Sequence, residues 1–285
     1  MSPRLFTIET ARALLRERRA DGHKGTFGTA LLICGSEAMG GCAALAAKAC
    51  LRSGAGKVVV HVPASLRTIV MIAVPEAVLS IDADITGQRF TMPPAGQFQA
   101  VGIGPGLGCD TATGRAVADE LHQCTDTPHV IDADALNLLA RSADWPQRMS
   151  PAFVLTPHLG ELARLAGAVV SEAEHMETAA RLSTMCGAVI VAKGHPTHTA
   201  LPDGDVVTNT TGSDAIATAG SGDVLTGIIT GLLAQGYPPE EAAPLGVFLH
   251  GLAGDIAARR LGHHSVIASD ITEHLPQAFL SVTAP

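Results

Sequence analysis

Short, predominantly apolar runs recur along this chain, each followed by a turn or a helix-forming segment. They are TALLIC (29–34), KVVVHVP (57–63), QAVGIG (99–104), HVIDA (129–133), AFVLT (152–156) and AVIVAK (188–193). They do not alternate apolar with polar residues, so they read as strands buried on both faces rather than half-solvated ones. CAALAAKACLRSG (42–54) is rich in helix formers and stops at Gly54, a residue type that ends helices. Helices are also predicted over 9–19, 111–123 and 172–186, over ALNLLAR with Asp134 as N-cap, and over GELARLAG after Pro157. Residues 222–262 read as two helices broken near GYPP (236–239), and 197–209 as a hairpin turning at Asp203-Gly204. Strands alternating with helices predict an α/β fold with a mostly parallel central sheet. In such sheets ligands bind at the carboxyl ends of the strands. No repeat, low-complexity stretch or linker-like segment interrupts the pattern, so a single domain over 1–285 is expected.

Covering both faces of a sheet takes apolar residues, and these are 47% of the 285 against 16% charged. Aromatic residues are only 3%, so Ala, Val, Leu and Ile must fill the core, and base-stacking platforms for nucleic acid are excluded. A formal charge of −8 and a pI near 5.8 also argue against a nucleic-acid partner. The six cysteines, Cys34, Cys42, Cys50, Cys109, Cys124 and Cys186, form no CxxC pair and read as reduced, buried thiols. The twelve histidines show no metal-ligand spacing, and His263-His264 reads as a solvated cap at a helix end. The first residues lack the apolar core of a signal peptide, and no run approaches the ~20 residues of a membrane helix. The expectation is a cytoplasmic protein with no membrane partner.

Two nucleotide-binding motifs fail. In VGIGPGLGCD, a dinucleotide fingerprint begun at Gly102 needs glycine where Leu107 stands, and one begun at Gly104 needs it at Cys109. SGAGKV places Val58 where a phosphate loop needs Ser or Thr. The stretch ATAGSGDVLTGIITG (217–231) offers another device. Ala219, Gly220, Ser221 and Gly222 lead into an apolar helix, so unpaired N–H groups and the positive end of the helix dipole make an anion site. The same dipole predicts that Asp223 is ionised at neutral pH, as a base for a substrate hydroxyl. An ordinary helix cap made by Ser221 or Asp223 is the alternative for these residues.

The GSGD turn resembles the anion-hole turn of the ribokinase-like superfamily. Further segments resemble one of its families, the ADP/ATP-dependent NAD(P)H-hydrate dehydratases of the single-domain bacterial type. They are HKGTFGTALLICGS (23–36), GGCAALAAKACLRSGAG (41–56), GIGPGLG (102–108), IDADALNLL (131–139), LTPHLGELARL (155–165), VAKGHPT (191–197), NTTGSDAIATAGSGDVLTGIITGLLAQG (209–236) and FLHGLAGD (248–255). They follow the family's order over nearly the whole chain. The resemblance implies a ribokinase-like three-layer α/β/α fold and a repair enzyme acting on the S epimer of NADH-hydrate or NADPH-hydrate. ADP would phosphorylate the C6 hydroxyl, and loss of phosphate would restore the nicotinamide ring, leaving AMP. Asp223 would be the catalytic base, and Gly220, Ser221 and Gly222 the anion hole. Lys193, Gly194, His195, Pro196, Thr197 and Gly222 would bind the nucleotide. Ala43, Gly106, His158 and Asp223 would meet the hydrated cofactor. Mg²⁺ as cofactor and a homotetramer are implied as well. A small-molecule kinase of the hydroxymethylpyrimidine or thiazole type and a non-catalytic nucleotide-binding homologue are the alternatives.

Asp132, Asp134, Asn137 and Glu161 cluster at predicted strand ends. They have two readings, organising Mg²⁺ through water or forming caps and turns, and no metal ligand is assigned. The chain departs from the family at Asp214, where proline or glycine is usual, and at Ala219, where glycine is usual. An extra carboxylate beside a bound phosphate predicts weakened affinity. The chain lacks the epimerase domain fused to many family members, so action on one epimer is expected.

Overall fold

Neighbouring residues of each central strand enter different cores, which is why the strand runs read as apolar throughout. The computed structural model describes residues 3–82, 98–123 and 126–284; Cys124 lies outside them. Its strands are β1 (Arg4–Phe6), β2 (Thr29–Ile33), β3 (Lys57–Val62), β4 (Val78–Ile81), β5 (Ala100–Ile103), β6 (His129–Ile131), β7 (Phe153–Leu155), β8 (Val189–Ala192), β9 (His198–Ala200) and β10 (Val206–Asn209). The helices are α1 (Ile8–Leu14), α2 (Gly41–Arg52), α3 (Arg67–Ala73), α4 (Thr111–Gln123), α5 (Ala133–Leu139), α6 (Leu159–Ala166), α7 (His175–Cys186), α8 (Ser221–Ala234), α9 (Pro239–Leu261) and α10 (Ala268–Thr283). Ala30, Leu32, Val58, Val60, Val130 and Val154 pack on one side of the sheet with residues of α2, α8, α9 and α10. Leu31, Ile33, Val101, Ile103, Ile131 and Leu155 pack on the other with α4, α5, α6 and α7. The result is three layers, helices on both faces of one sheet, as expected from the runs.

The strands lie in the order β1-β10-β9-β8-β7-β6-β5-β2-β3-β4. All neighbours are parallel except for β9, which runs antiparallel to β8 and β10 and forms the predicted hairpin. The chain moves outward from β2 through β3 to β4, then returns to lay β5 on the other side of β2. That reversal makes the carboxyl ends of β2 and β5 the topological switch point, where open α/β sheets place their ligand crevice. At the opposite edge β1 pairs with β10, Phe6 lying beside Asn209, and the Thr210 hydroxyl donates to the Phe6 carbonyl at 2.6 Å.

The first helix is shorter than the predicted 9–19. It ends at Leu14, and Leu15 is extended. The Arg16 N–H donates to the Tyr237 hydroxyl at 2.8 Å and its guanidinium to the Gly236 carbonyl at 3.1 Å, drawing the chain onto the α8–α9 junction. Among the described residues, no helix is long and apolar enough to cross a membrane.

Candidate functional site

The amino end of α8 is where the predicted groups converge. Gly220 precedes the helix with φ +88°, a left-handed conformation that glycine adopts freely. A Cβ at this position would lie 2.6 Å from Leu45 Cδ1 and 3.1 Å from Ala268 Cβ, so glycine is also what the packing admits. The Ser221 N–H donates to the Thr218 carbonyl at 3.2 Å, and its buried hydroxyl lies 3.1 Å from His250 Nε2. The Ser221 N–H is therefore engaged within the protein, and its hydroxyl oxygen is in contact with the His250 ring. The first-turn N–H groups of Gly222 and Asp223 have no intrahelical acceptor and remain for an anion.

Beneath this turn lies an ion-paired cluster. Lys193, just after β8, donates to Asp132 Oδ1 at 2.7 Å and lies 3.7 Å from Glu161 Oε2. The Thr226 hydroxyl of α8 donates to Asp132 Oδ2 at 2.8 Å. Burial pulls the Lys193 ammonium down, but Asp132, Glu161 and Asp223 together outweigh it and leave its pKa raised. Ala133, next to Asp132, has φ +49°, a conformation that costs an alanine roughly 1 kcal/mol. A Cβ on Gly222 would stand 3.4 Å from Lys193 Nζ, so the turn and the cation are adjacent. Lys193→Met is expected to lower folding stability by about 2 kcal/mol, read as a lower urea midpoint. It strands two carboxylates, and the 20% exposure of Lys193 keeps the cost below the about 3–5 kcal/mol of a fully buried pair.

Asp223 faces the β2/β5 crevice. Its charge acts on the thiols of Cys34, at the end of β2, and Cys42, in the first turn of α2. The helix dipole alone predicts an ionised Asp223. Burial and the Asp132 carboxylate oppose it, Lys193 only partly compensates, and the carboxyl is pushed up to about 7. Its pKa is thus raised rather than held low, which departs from the sequence expectation of an acidity reinforced by the dipole. Cys42 is pushed up to about 12 by burial and by Asp223, so it is an inert thiol. It donates to the Met39 and Pro105 carbonyls at 2.9 and 3.2 Å, joining α2 to the loop after β5. Gly106 in that loop has φ +66°, and a Cβ there would meet Cys42 Sγ at 2.5 Å. Ala43 is fully buried near Gly35, so it supports the wall of the crevice rather than presenting a surface.

On the other side of the α8 terminus is a cavity of about 490 Å³. His158, Lys193, Gly194, His195, Thr197, Asn209, Thr211, Ser221, Gly222 and His250 are among its lining. Pro196 is exposed in the same turn and does not line it. Thr197 closes that turn, its hydroxyl donating to the Gly194 carbonyl at 2.9 Å. His158, expected beside the hydrated cofactor, opens on this cavity and is the N-cap of α6. Its Nδ1 accepts from Gly160 and Glu161 N–H at 3.0 and 3.2 Å, while Glu161 returns a bond to the His158 N–H. Asp214 sits on the rim, where its carboxylate contacts His263 Nδ1 at 2.7 Å, so His263 is a partner of Asp214 rather than a helix cap. A larger groove of about 870 Å³, lined by Arg16, Arg52 and Phe279 among others, touches none of the predicted site residues.

A family model described as NAD(P)H-hydrate dehydratase matches residues 30–277. The chain belongs to the NAD(P)H-hydrate dehydratase family. It is 41% identical over 282 residues to a bifunctional NAD(P)H-hydrate repair enzyme of Moorella thermoacetica, a match covering 96% of this chain and 53% of that protein. The chain thus spans about half the length of the bifunctional relatives it matches. It is 37% identical over 285 residues to the ADP-dependent (S)-NAD(P)H-hydrate dehydratase of Bacillus subtilis, covering 98% of this chain and 99% of that one. The crystal structure of the Bacillus subtilis ADP/ATP-dependent NAD(P)H-hydrate dehydratase, co-crystallised with ATP and Mg²⁺, superposes with a TM-score of 0.89 at 35% identity over 99% of both chains. The fold is accordingly ribokinase-like.

Of the four groups considered for Mg²⁺ in this member of the NAD(P)H-hydrate dehydratase family, two are committed elsewhere. Asp134 accepts from the Gly108 N–H at 2.8 Å and from Cys109 Sγ at 3.3 Å, and Asn137 accepts from Arg164 at 2.9 Å. Asp134 is also not the N-cap of α5; Asp132 is. Asp132 and Glu161 are engaged too, by the Lys193 ammonium, by Thr226 on Asp132 and by the His158 N–H on Glu161. Among the described residues no group of three or more His, Cys, Asp or Glu converges as direct metal ligands do. His250 was missed as a site residue, although it lies within the FLHGLAGD segment, because its partner is on another helix.

Proposed function

We propose that this chain is an ADP-dependent dehydratase of the S epimer of hydrated NADH and NADPH. One observation carries the proposal. The amino end of α8 offers free N–H groups beside a nucleotide-sized cavity and, within the same turn, presents Asp223 to the β2/β5 crevice. Phosphoryl transfer needs donor and acceptor on opposite sides of an anion-binding turn. ADP would occupy the cavity along residues 193–197, its terminal phosphate against Gly222 and Lys193. The hydrated ring would occupy the crevice by Gly106. His158, opening on the cavity side, supports the boundary between the two.

Asp223, poised near neutrality, takes the proton of the C6 hydroxyl as its oxygen attacks the terminal phosphorus of ADP. The bond to the bridging oxygen breaks and AMP leaves. Hydroxide is a poor leaving group and phosphate a good one. The ring nitrogen's lone pair therefore expels phosphate from C6, the C5 proton passes to the departing phosphate, and the C5–C6 double bond is restored. The amides of Gly222 and Asp223 hold the phosphoryl charge in both steps. Asp132 and Glu161, held by Lys193, would orient the water shell of a Mg²⁺, which would neutralise nucleotide phosphate charge.

The test is incubation of hydrated NADH with ADP, with ATP and with neither. The expected result is nucleotide-dependent recovery of reduced-nicotinamide absorbance, with AMP formed from ADP. A phosphorylated hydrate that accumulates without recovery would mark a kinase. Nucleotide binding with no turnover would mark a non-catalytic homologue.

A further inference from the structure

His250 lies on α9, is 7% exposed and has no part in the steps above. Its Nε2 stands 3.0 Å from the Ser221 carbonyl oxygen and 3.1 Å from the Ser221 hydroxyl. A carbonyl only accepts, so Nε2 carries a hydrogen. Burial pushes the ring down to about 4, which leaves it neutral at working pH. The neutral ring then has its one hydrogen on Nε2, directed at Ser221.

The first turn of α8 lacks the usual means of holding itself. Its N-cap is Gly220, which has no side chain to bond the next amides. Within the turn, the bonds outside the helix ladder are backbone ones, Ser221 N–H to the Thr218 carbonyl and Val224 N–H to the Gly220 carbonyl. His250 supplies from a neighbouring helix the restraint that a capping side chain normally gives. The same stretch of α9 fixes the facing wall of the cavity. The Thr211 hydroxyl donates to the Phe248 carbonyl at 2.8 Å, and a Cβ on Gly251 would press into Thr211 at 2.5 Å.

We propose that His250 is a positioning residue for phosphoryl transfer, clamping Ser221 so that the Gly222 and Asp223 amides stay aimed at the phosphate. This rests on α8 being the phosphate site of the dehydratase. His250→Leu keeps an apolar side chain of similar reach but donates nothing. His250→Gln keeps an N–H near the place of Nε2. In the Leu variant the ADP Kd, measured by calorimetry, is expected to rise about tenfold and kcat to fall about tenfold. KM for the hydrated dinucleotide should stay within about twofold. The Gln variant should recover most of both losses. The clamp is refuted if the Leu variant binds and turns over like the parent. It is also refuted if both variants lose equally and their melting temperatures fall in step. ADP affinity is read without turnover. A parent protein inactive on hydrated dinucleotides would sink the dehydratase, while the Leu-specific loss of ADP binding would still support the clamp.

Discussion

Asp223→Asn is expected to lower kcat by about 10³ while the ADP Kd moves by less than about threefold. The carboxylate is the only proton acceptor the protein supplies in the proposed mechanism, whereas Gly222 and Lys193, which line the cavity proposed for ADP, are untouched. A variant with near-parental kcat would make Asp223 a helix-end residue and end the mechanism. In the parent, turnover should rise with pH through an inflection near 7, because the working base is the ionised form of a carboxyl held at about 7. The Asn variant should lose that limb.

The same shift sets the sign of a stability effect. The folded-state pKa lies above the ordinary 3.8. Between the two values the unfolded chain has already lost the proton that the folded chain keeps, so stability falls as pH rises through this window. Asparagine has no charge to bury. The variant should melt above the parent at pH values beyond 7, and the gap should close as pH falls to about 4. A more stable parent at alkaline pH would mean the fold stabilises the Asp223 charge.

The second large effect is expected far from any ligand. Gly227 of α8 faces α2, and a Cβ there would lie 2.2 Å from the Ala46 carbonyl oxygen and 2.9 Å from Ala49 Cβ. Neither is the mobile end of a side chain, so the helices must separate. Gly227→Ala should cost about 3 kcal/mol, read as a lower urea midpoint. It should also lower kcat in the surviving folded protein, because α2 begins beside the crevice at Cys42 and α8 begins at the anion turn. Gly41→Ala is the control. It is helical, nothing stands within 4 Å of its Cβ, and its stability should change by less than about 0.5 kcal/mol.

The strands with unbroken apolar runs were legible because burial on both faces leaves no alternation to misread. Short or marginal elements were not. β1 has three residues, two of them exposed, and β4 at the other edge is only partly buried. α10 carries Pro276 within its span, which argues locally against the helix that tertiary packing forms. In the site, the turn and its aspartate were visible because they are contiguous. The charge state of Asp223 was not, since the dipole belongs to the helix but the burial and the Asp132 carboxylate come from elsewhere. The partner of Ser221 is 29 residues away and that of Thr226 is 94 away. A single sequence carries no local signal for either pair.

The pairing of β1 with β10 bears on how this protein is made. The Phe6 carbonyl meets the Thr210 hydroxyl across 204 residues of chain, and Asn209, which ends β10, borders the cavity proposed for the nucleotide. A contact of that sequence separation forms late, because the loop it closes costs entropy before the pairing returns anything. On the ribosome, at roughly 5–20 residues per second, β1 must wait for β10 to emerge before it finds its neighbour. That wall of the proposed nucleotide cavity is therefore among the last surfaces to be completed. A nascent chain stalled short of residue 209 leaves β1 without its partner, exposing an unpaired strand.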